Sequence, residues 1–156
     1  MIDQKKDLTE LLELLGDIYE ERIPFNKFLG LQVERLELDN VCVRINMKKE
    51  FIGNYFEEML HGGIISSVLD LTGALTAQRG ALEKIAGGLL KERAEIFLRM
   101  GTIDLRIDYL RPGRGKYFLA TGSILRAGKK FVVTRMQLHN DKESLIAVGT
   151  GTYIVP

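Results

Sequence analysis

The chain has 156 residues, of which 46% are hydrophobic and 28% are charged, and its formal net charge is +1. This composition predicts one soluble domain with a sizeable core, and the balanced charge argues against general nucleic-acid binding. No apolar run is long enough to span a bilayer and no signal peptide is recognisable at the N-terminus, so we expect a cytoplasmic protein without a membrane partner.

The cysteine and histidine content argues against a disulfide and against a metal site. Cys42 is the only cysteine, so no internal disulfide can form. His61 and His139 lie far apart in the sequence and show no recognisable metal-ligand spacing. We therefore expect that the protein holds no metal.

The first predicted element is an amphipathic helix over about residues 8–23, which Pro24 ends. Its apolar positions follow helical spacing: Leu8, Leu11, Leu12, Leu15, Ile18 and Tyr19. We assign residues 1–24 to this N-terminal amphipathic helix and residues 25–156 to the main domain, over which the helix packs.

Two strands are predicted next, over about residues 31–38 and 41–47. Asp39 and Asn40 separate the strands and are typical of a hairpin turn. Residues 48–60 are predicted to form a loop that leads into a second helix.

The second predicted helix spans about residues 61–79 and holds a lone carboxylate, Asp70, within the uncharged stretch 64–77. At about 100° per residue, the face around Asp70 carries only small residues: Gly63, Ser66, Ser67, Gly73, Ala74 and Ala77. The opposite face is bulky, with Ile64, Ile65, Val68, Leu71 and Leu75. We expect a helix buried almost all round, with a narrow groove in which a substrate or a second backbone can approach Asp70.

Residues 80–100 are the least readable part of the chain. They contain Gly87 and Gly88, followed by a charged segment over residues 89–99. The segment predicts either a flap over a site with a glycine hinge or a surface helix joined by a flexible link, and we favour the surface helix.

The last third of the chain predicts a β-meander. Residues 103–110 alternate, with Ile103, Leu105, Ile107 and Tyr109 on one face and charged residues on the other, so one side of this strand is solvated. Further strands follow over about residues 116–126, 131–138 and 145–155. The elements together predict an α+β fold in which an antiparallel β-sheet wraps around a long central helix, with an extra N-terminal helix.

Residues 109–140 contain no acidic residue and form a basic stretch. Its cations are Arg111, Arg114, Lys116, Arg126, Lys129, Lys130 and Arg135. Such a stretch can hold a phosphorylated small molecule, or it can be a solvated sheet edge with its turns. Charge alone leaves both interpretations open.

Five residues carry a resemblance to a known family: Asn54, His61, Gly62, Gly63 and Asp70. The loop asparagine, the His-Gly-Gly segment and the acidic residue on the central helix resemble the pattern of hotdog-fold acyl-CoA thioesterases of the PaaI-like family. Residues 103–113 are similar to the strand after the helix in that family, and residues 125–130 to the hairpin where members often hold coenzyme A. The resemblance covers about residues 25–156.

The resemblance implies hydrolysis of an acyl-CoA thioester to a free acid and coenzyme A, without a metal or bound cofactor. The helix start fits this chemistry, because the N–H groups of Gly62 and Gly63 can stabilise a thioester oxygen that gains negative charge. Asp70 would act as a general base on water or as a nucleophile. Asn54 would orient the water or the thioester, and His61 would shape the helix start or hydrogen-bond nearby backbone.

Gly62 and Asp70 are too far apart to act on one carbonyl within a single chain. They are eight residues apart on the predicted helix, which is about 12 Å along its axis. We therefore expect a homodimer in which Asp70 of one chain faces the helix start of the other, as the family's dimers arrange it. Such dimers are expected to pair further into a dimer of dimers.

The substrate-binding residues that the resemblance implies are Gly63, Arg111, Pro112, Arg126, Gly128, Lys129 and Lys130. The apolar surroundings of the central helix and the long N-terminal helix favour fatty acyl groups of medium to long length over a polar aryl group.

Structural roles and two other functions stay open at this point. His61 can be a capping residue, Asn54 can form a turn with Gly53, and Asp70 in a purely structural role would need a matched donor. A non-catalytic acyl-CoA-binding hotdog module is one alternative function. A hotdog hydratase or dehydratase is the other, and it would have to use His61 or His139 beside an acid.

Overall fold

The computed structural model describes residues 2–82, Phe97 and residues 99–156, with side chains from residue 7 onward. It contains a six-stranded antiparallel sheet, one long helix packed against it and a helical N-terminal segment. The predicted α+β architecture, a sheet around a central helix with an extra N-terminal helix, is confirmed. No helix in the described part of the chain is long and apolar enough to cross a membrane.

The N-terminal segment consists of two helices joined by a π-helical turn. Helix α1 spans Ile2–Asp17, the turn spans Ile18–Arg22 and α2 spans Pro24–Leu29. The first helical run ends before Pro24, as predicted, and Pro24 is also the first residue of α2, which was not predicted. Proline suits that position, since the first helical N–H has no intrahelical partner to lose.

The strands are β1 (Gln32–Glu37), β2 (Asn40–Asn46), β3 (Ile52–Asn54), β4 (Met59–Leu60), β5 (Gly101–Tyr109), β6 (Tyr117–Ala127), β7 (Phe131–Asn140) and β8 (Leu145–Ile154). Six of them form the main sheet in the order β1-β2-β6-β7-β8-β5, with every neighbouring pair antiparallel. The predicted meander is confirmed for β6, β7 and β8. Its first predicted strand, β5, is not a neighbour of β6 but pairs with β8, so that part of the prediction is wrong. Strands β1 and β5 lie at the two edges.

Residues 48–60, predicted as a loop, contain regular structure. A 3-10 turn spans Lys49–Phe51, and β3 and β4 pair as a small separate hairpin. The Phe51 side chain is fully buried, and its carbonyl accepts a hydrogen bond from the His61 N–H at 2.7 Å. The segment therefore attaches the start of the central helix to the core.

The central helix α3 spans Gly62–Leu82 and packs against one face of the sheet. Its core partners are fully buried side chains on three strands: Val43, Ile45, Phe118, Met136 and Leu138. Each such side chain stabilises the fold by about 1.5–3 kcal/mol. The expectation of burial almost all round holds for the second half of the helix, whereas Ser66, Ser67 and Asp70 in the first half are partly exposed.

Strand β5 departs from simple alternation near its start. A bulge lies between Thr102 and Asp104, and Ile103 within it is 53% exposed. The prediction that Ile103 shares the apolar face of Leu105 and Ile107 is therefore wrong, since a bulge residue drops out of the two-residue repeat. Leu105 and Ile107 do pack against the core.

The segment predicted as a surface helix or a flap, residues 80–100, is described only at its ends. Helix α3 continues to Leu82, and Phe97 is buried in the core. Residues 83–96 lie outside the described residues, and so does the prediction of a surface helix or a flap.

Candidate active site

The start of α3 is capped by His61. The His61 carbonyl accepts hydrogen bonds from the N–H groups of Ile64 and Ile65 at 3.0 and 3.1 Å. Its imidazole Nδ1 accepts a third, from the Gly63 N–H at 2.8 Å. An accepting Nδ1 must be unprotonated, so the neutral ring carries its hydrogen on Nε2. His61 therefore caps the helix through its Nδ1 atom.

The cap leaves one amide at the helix start without a protein partner. The Gly63 N–H is used by His61, and within the described part of the chain the Gly62 N–H has no acceptor. The Tyr109 hydroxyl donates to the Gly62 carbonyl at 3.2 Å, and the ring of Tyr109 lies beside Gly62. An unpaired N–H at a helix N-terminus suits an oxygen that gains negative charge.

The carboxylate of Asp70 is held on one side only. Thr102 on β5 donates its hydroxyl to Oδ1 at 2.9 Å. The Tyr153 hydroxyl on β8 donates to the backbone carbonyl of Asp70 at 2.9 Å and lies 3.3 Å from Oδ1. None of the described residues donates to Oδ2. The Asp70 side chain is partly exposed, so Oδ1 is held by hydrogen bonds while Oδ2 is accessible to another molecule.

Tyr153 is held against α3 by the absence of a side chain at Gly73. A Cβ at Gly73 would overlap the Tyr153 hydroxyl, so only glycine permits this close approach. Burial raises the pKa of the Tyr153 phenol, and the negative charge of Asp70 raises it further. The hydroxyl therefore stays protonated and remains a donor toward Asp70.

An apolar cavity of about 200 Å³ opens next to this carboxylate. Thr102 and Tyr153, the two partners of Asp70, are part of its lining. The other lining residues come from the N-terminal segment, from α3 and from residues 97–101: Leu11, Leu15, Ile18, Tyr19, Ile23, Ala74, Gln78, Phe97, Met100 and Gly101. A comparable engineered cavity of about 150 Å³ holds a benzene ring, so this one accepts an apolar group.

Asn54 forms a turn within the β3–β4 hairpin. Its side-chain oxygen accepts hydrogen bonds from the N–H groups of Phe56 and Glu57 at 3.1 and 3.2 Å. The neighbouring Gly53 packs directly on His61, where a Cβ would overlap the His61 backbone. The hairpin therefore lies at the Gly62 end of α3, and in a single chain Asn54 makes no hydrogen bond to Asp70.

The structure gathers the predicted residues of the β6–β7 hairpin around one surface groove. The groove is lined by Arg126, Gly128, Lys129, Lys130, Phe131, Val133 and Thr152. Val133 and Thr152 alternate with Val132 and Tyr153, which are buried toward α3. The groove therefore opens on the sheet face opposite α3, and a single chain does not bring it together with Asp70.

Arg111 and Pro112 lie at the other end of the molecule. Both are exposed, and Arg111 donates to the Leu145 carbonyl at 3.0 Å. They follow Tyr109, which contacts the helix start at Gly62. Within one chain the predicted residues therefore form three separate groups: those around Gly62, Asp70 itself, and the hairpin groove on the opposite face of the sheet.

A family model of the thioesterase superfamily matches residues 57–147, which is more than half of the chain. The chain belongs to the thioesterase superfamily. The matched region contains His61, Gly62, Gly63 and Asp70, the core of the sequence pattern. The predicted hotdog-fold thioesterase and its class, a thioester hydrolase, are confirmed.

Relatives of this thioesterase match it over nearly their full length. The medium/long-chain acyl-CoA thioesterase YigI of Salmonella typhimurium is 44% identical over 149 residues, which cover 94% of each chain. The protein of the same name from Escherichia coli K12 is 42% identical over 149 residues with the same coverage. A crystal structure from Shewanella oneidensis, related to the thioesterase superfamily, has a TM-score of 0.91 at 44% identity and covers 96% of this chain and 97% of that one.

Sequence reasoning missed the side chains that surround the two ends of the candidate site. Thr102, Tyr109 and Tyr153 contact Asp70 or Gly62 from strands that are distant in sequence. Gln78 lines the cavity from α3 itself. The one available signal was helical spacing, because Ala74 and Gln78 lie one and two turns beyond Asp70 on its own side of the helix.

Proposed function

We propose that the protein hydrolyses acyl-CoA thioesters whose acyl group is of medium to long length. The observation that carries this proposal is the position of Asp70, a carboxylate with one open oxygen beside an apolar cavity. The acyl chain would enter that cavity, and its thioester would remain at the carboxylate. Relatives named medium/long-chain acyl-CoA thioesterases, at 42–44% identity, support the same substrate class.

The active site is composite in this proposal and needs two chains. Strand β5 runs from Thr102, which contacts Asp70, to Tyr109, which contacts Gly62. Its outer side is a sheet edge within the described residues, whereas the other edge, β1, is contacted at the Val33 N–H by the N-terminal segment. If two β5 edges pair antiparallel about a twofold axis, Thr102 of one chain comes to lie near Tyr109 of the other.

That pairing would bring the carboxylate of one chain to the free amide of its partner. The thioester oxygen would accept from the Gly62 N–H at the helix start, where the helix dipole adds positive potential. Asp70 of the other chain would approach the carbonyl carbon from the cavity side. Two such sites form per dimer, and the further pairing of dimers into tetramers remains a prediction.

Asp70 can perform the reaction in either of two ways. As a general base it takes a proton from water while the water oxygen bonds to the carbonyl carbon, and the C–S bond then breaks as the thiolate takes up that proton. As a nucleophile it displaces the thiolate directly and forms an anhydride, which water then hydrolyses to the acid and the free carboxylate. A single turnover in ¹⁸O-water that labels Asp70 identifies the nucleophile route, with water opening the anhydride at the Asp70 carboxyl carbon. The base route labels only the product, and trapping of the anhydride distinguishes it from a nucleophile route in which water attacks the acyl carbon.

The remaining predicted residues take supporting roles in this proposal. Asn54 would orient the water or the thioester through its amide nitrogen, since its oxygen is used in the turn. Arg111 and Pro112 would lie beside the helix start, and the hairpin cations would meet coenzyme A phosphates. The reaction as written needs no metal or bound cofactor, and the cytoplasmic location expected from the sequence stays a prediction.

The experiment that tests this function is free-thiol release from a panel of acyl-CoAs by the parent protein and by Asp70→Asn. The panel covers short, medium, long and aromatic acyl groups. We expect the parent to prefer medium and long chains, and kcat to fall by about 10²–10⁴ in the variant, because the amide cannot accept the proton. Asp39→Asn, at an exposed position of the turn between β1 and β2, is the matched control and should keep full activity.

One result would replace this proposal with another function. If the parent binds acyl-CoA but releases no thiol from any member of the panel, the protein is a non-catalytic binding module. A product hydrated across a double bond, with the thioester intact, would instead favour a hydratase.

A further inference from the structure

Gln78 places an unpaired polar atom in the wall of the apolar cavity. The residue is only 7% exposed, and it lines the cavity from the last half of α3. Its Nε2 donates to the Phe97 carbonyl at 3.0 Å. Its Oε1 is buried and makes no hydrogen bond with any of the described residues.

The orientation of this amide follows from its partner. A backbone carbonyl can only accept a hydrogen bond, so the nitrogen of Gln78 must face Phe97 and the oxygen must face away from it. A buried acceptor without a donor is destabilising, and such atoms in folded proteins are rare. Gln78 Oε1 therefore needs a donor that the described protein does not supply.

A second polar group lies on the same side of the cavity. Tyr19, in the π-helical turn, is buried and lines the cavity with Gln78. Burial raises the pKa of its phenol, the charge of Asp70 raises it further, and a side-chain hydrogen bond with Gln78 lowers it. The net direction is upward, so the Tyr19 hydroxyl stays protonated beside Gln78.

Gln78 and Tyr19 together define which chemical group would fit between them in the cavity. Gln78 Oε1 only accepts, so a ketone, an ester or a carboxylate cannot satisfy it. An ammonium group could donate, but a lone charge in an apolar cavity is far more costly than a neutral donor. A hydroxyl fits, since it can donate to Gln78 and accept from Tyr19 at once.

The position of Gln78 places this group well along the acyl chain. Gln78 lies eight residues after Asp70 on the same helix, which corresponds to about 12 Å along the axis. The thioester is placed at Asp70, so a hydroxyl next to the thioester would not reach Gln78. The geometry selects a carbon in the middle of a medium or long chain.

We propose that the cavity favours acyl chains that carry a hydroxyl group at a mid-chain carbon, with Gln78 as the residue that determines this specificity. The inference rests on the proposed acyl-CoA hydrolysis and names a narrower substrate class for the same site. A plain chain still enters the cavity, but it leaves Gln78 Oε1 without a donor.

The test compares kcat/KM of the parent protein for hexadecanoyl-CoA and for its hydroxyl positional isomers at constant chain length. We expect one mid-chain isomer to exceed the plain chain by about 10-fold, which corresponds to about 1.4 kcal/mol. The isomer with its hydroxyl next to the thioester should show no gain. This comparison needs no variant, so a folding defect cannot obscure it.

Two variants then assign the preference to Gln78. Gln78→Met keeps the length of the side chain and removes the acceptor. The ratio of kcat/KM for the hydroxylated substrate to kcat/KM for the plain substrate should therefore fall from about 10 to about 1. Gln137→Met, at an exposed position of β7, is the matched control and should retain the parent's ratio. The ratio is measured within each variant, so a general loss of activity does not affect it.

The outcomes separate this inference from the function on which it rests. If no thioester is hydrolysed, the proposed function fails. If plain chains are hydrolysed and no hydroxyl isomer is preferred, only the hydroxyl inference is overturned. It is also overturned if Gln78→Met retains the preference, because another donor or acceptor must then be responsible.

Discussion

The two ends of the candidate site are built in different ways. At the Gly62 end, His61 caps the helix with its own side chain and backbone, so the arrangement depends mainly on residues that are adjacent in sequence. At the Asp70 end, the carboxylate is held by Thr102 and Tyr153, which lie 32 and 83 residues away. Local sequence creates the unpaired amide at the helix start, and tertiary packing creates the surroundings of the carboxylate.

This contrast implies that the two ends should respond differently to substitution. Changes at the helix start should act on catalysis through a single amide and leave the fold almost intact. Changes around Asp70 should affect stability and catalysis together, because the same contacts position the carboxylate and join α3 to the sheet.

At the Gly62 end, the largest effect is expected from Gly62→Pro. Proline is tolerated at the first position of a helix, so the substitution removes the unpaired N–H and little else. We expect kcat to fall by about 10²–10³ with a small change in the melting temperature, as for loss of one oxyanion donor. Gly62→Ala is the control, because it keeps the N–H and its Cβ would be in ordinary contact with Tyr109 at 3.5 Å.

Gly62→Pro also tests the composite site when it is combined with Asp70→Asn in mixed dimers. Each variant alone should be nearly inactive. After co-expression, about half of the dimers contain one chain of each kind, and one of their two sites is intact, so about a quarter of the parent activity should return. Absence of any recovery, with mixed dimers present, would show that each site lies within one chain.

A smaller effect is expected from Gly73→Ala at the Asp70 end. The new Cβ would overlap the Tyr153 hydroxyl, so the ring must move and its hydrogen bond to α3 is lost. We expect a loss of about 1–3 kcal/mol in the free energy of unfolding, measured with urea, together with a lower kcat. Gly101→Ala is the control, since its Cβ would meet only Ile154 at 3.9 Å. Equal stability of the two variants would contradict the role given to Tyr153.

A still smaller effect is expected from removing the helix cap. His61→Ala deletes the acceptor for the Gly63 N–H, and loss of a cap typically costs about 1 kcal/mol. His61→Asn should recover most of this stability, since asparagine is a good capping residue. If His61→Asn is as inactive as Asp70→Asn while it melts normally, His61 has a chemical role rather than a capping role.

No effect is expected from removing metal ions. The proposed reaction uses a carboxylate, a helix amide and water, so dialysis against a chelator should leave kcat unchanged. Activity that is lost with the chelator and restored by one added divalent cation would contradict the mechanism.

Much of the fold and part of the site could be predicted from the sequence. The central helix and the meander were predicted to within a few residues, because apolar periodicity over long segments reports local structure directly. The small hairpin at residues 52–60 was missed, since its strands are only two and three residues long. The bulge at Ile103 was missed because the alternation of apolar and charged residues in β5 continues through it without interruption.

By itself, the sequence determined the family pattern, the position of Asp70 on a long apolar helix and the glycines at the start of that helix. These features depend on spacing within one segment, which a linear pattern records. Packing in three dimensions determines which side chains contact that carboxylate. It also determines that the N-terminal segment closes a cavity beside it and that the hairpin groove opens on the opposite sheet face. Those outcomes depend on which strands and helices pack together, and contacts across 32 to 83 residues leave no periodic signal in the chain.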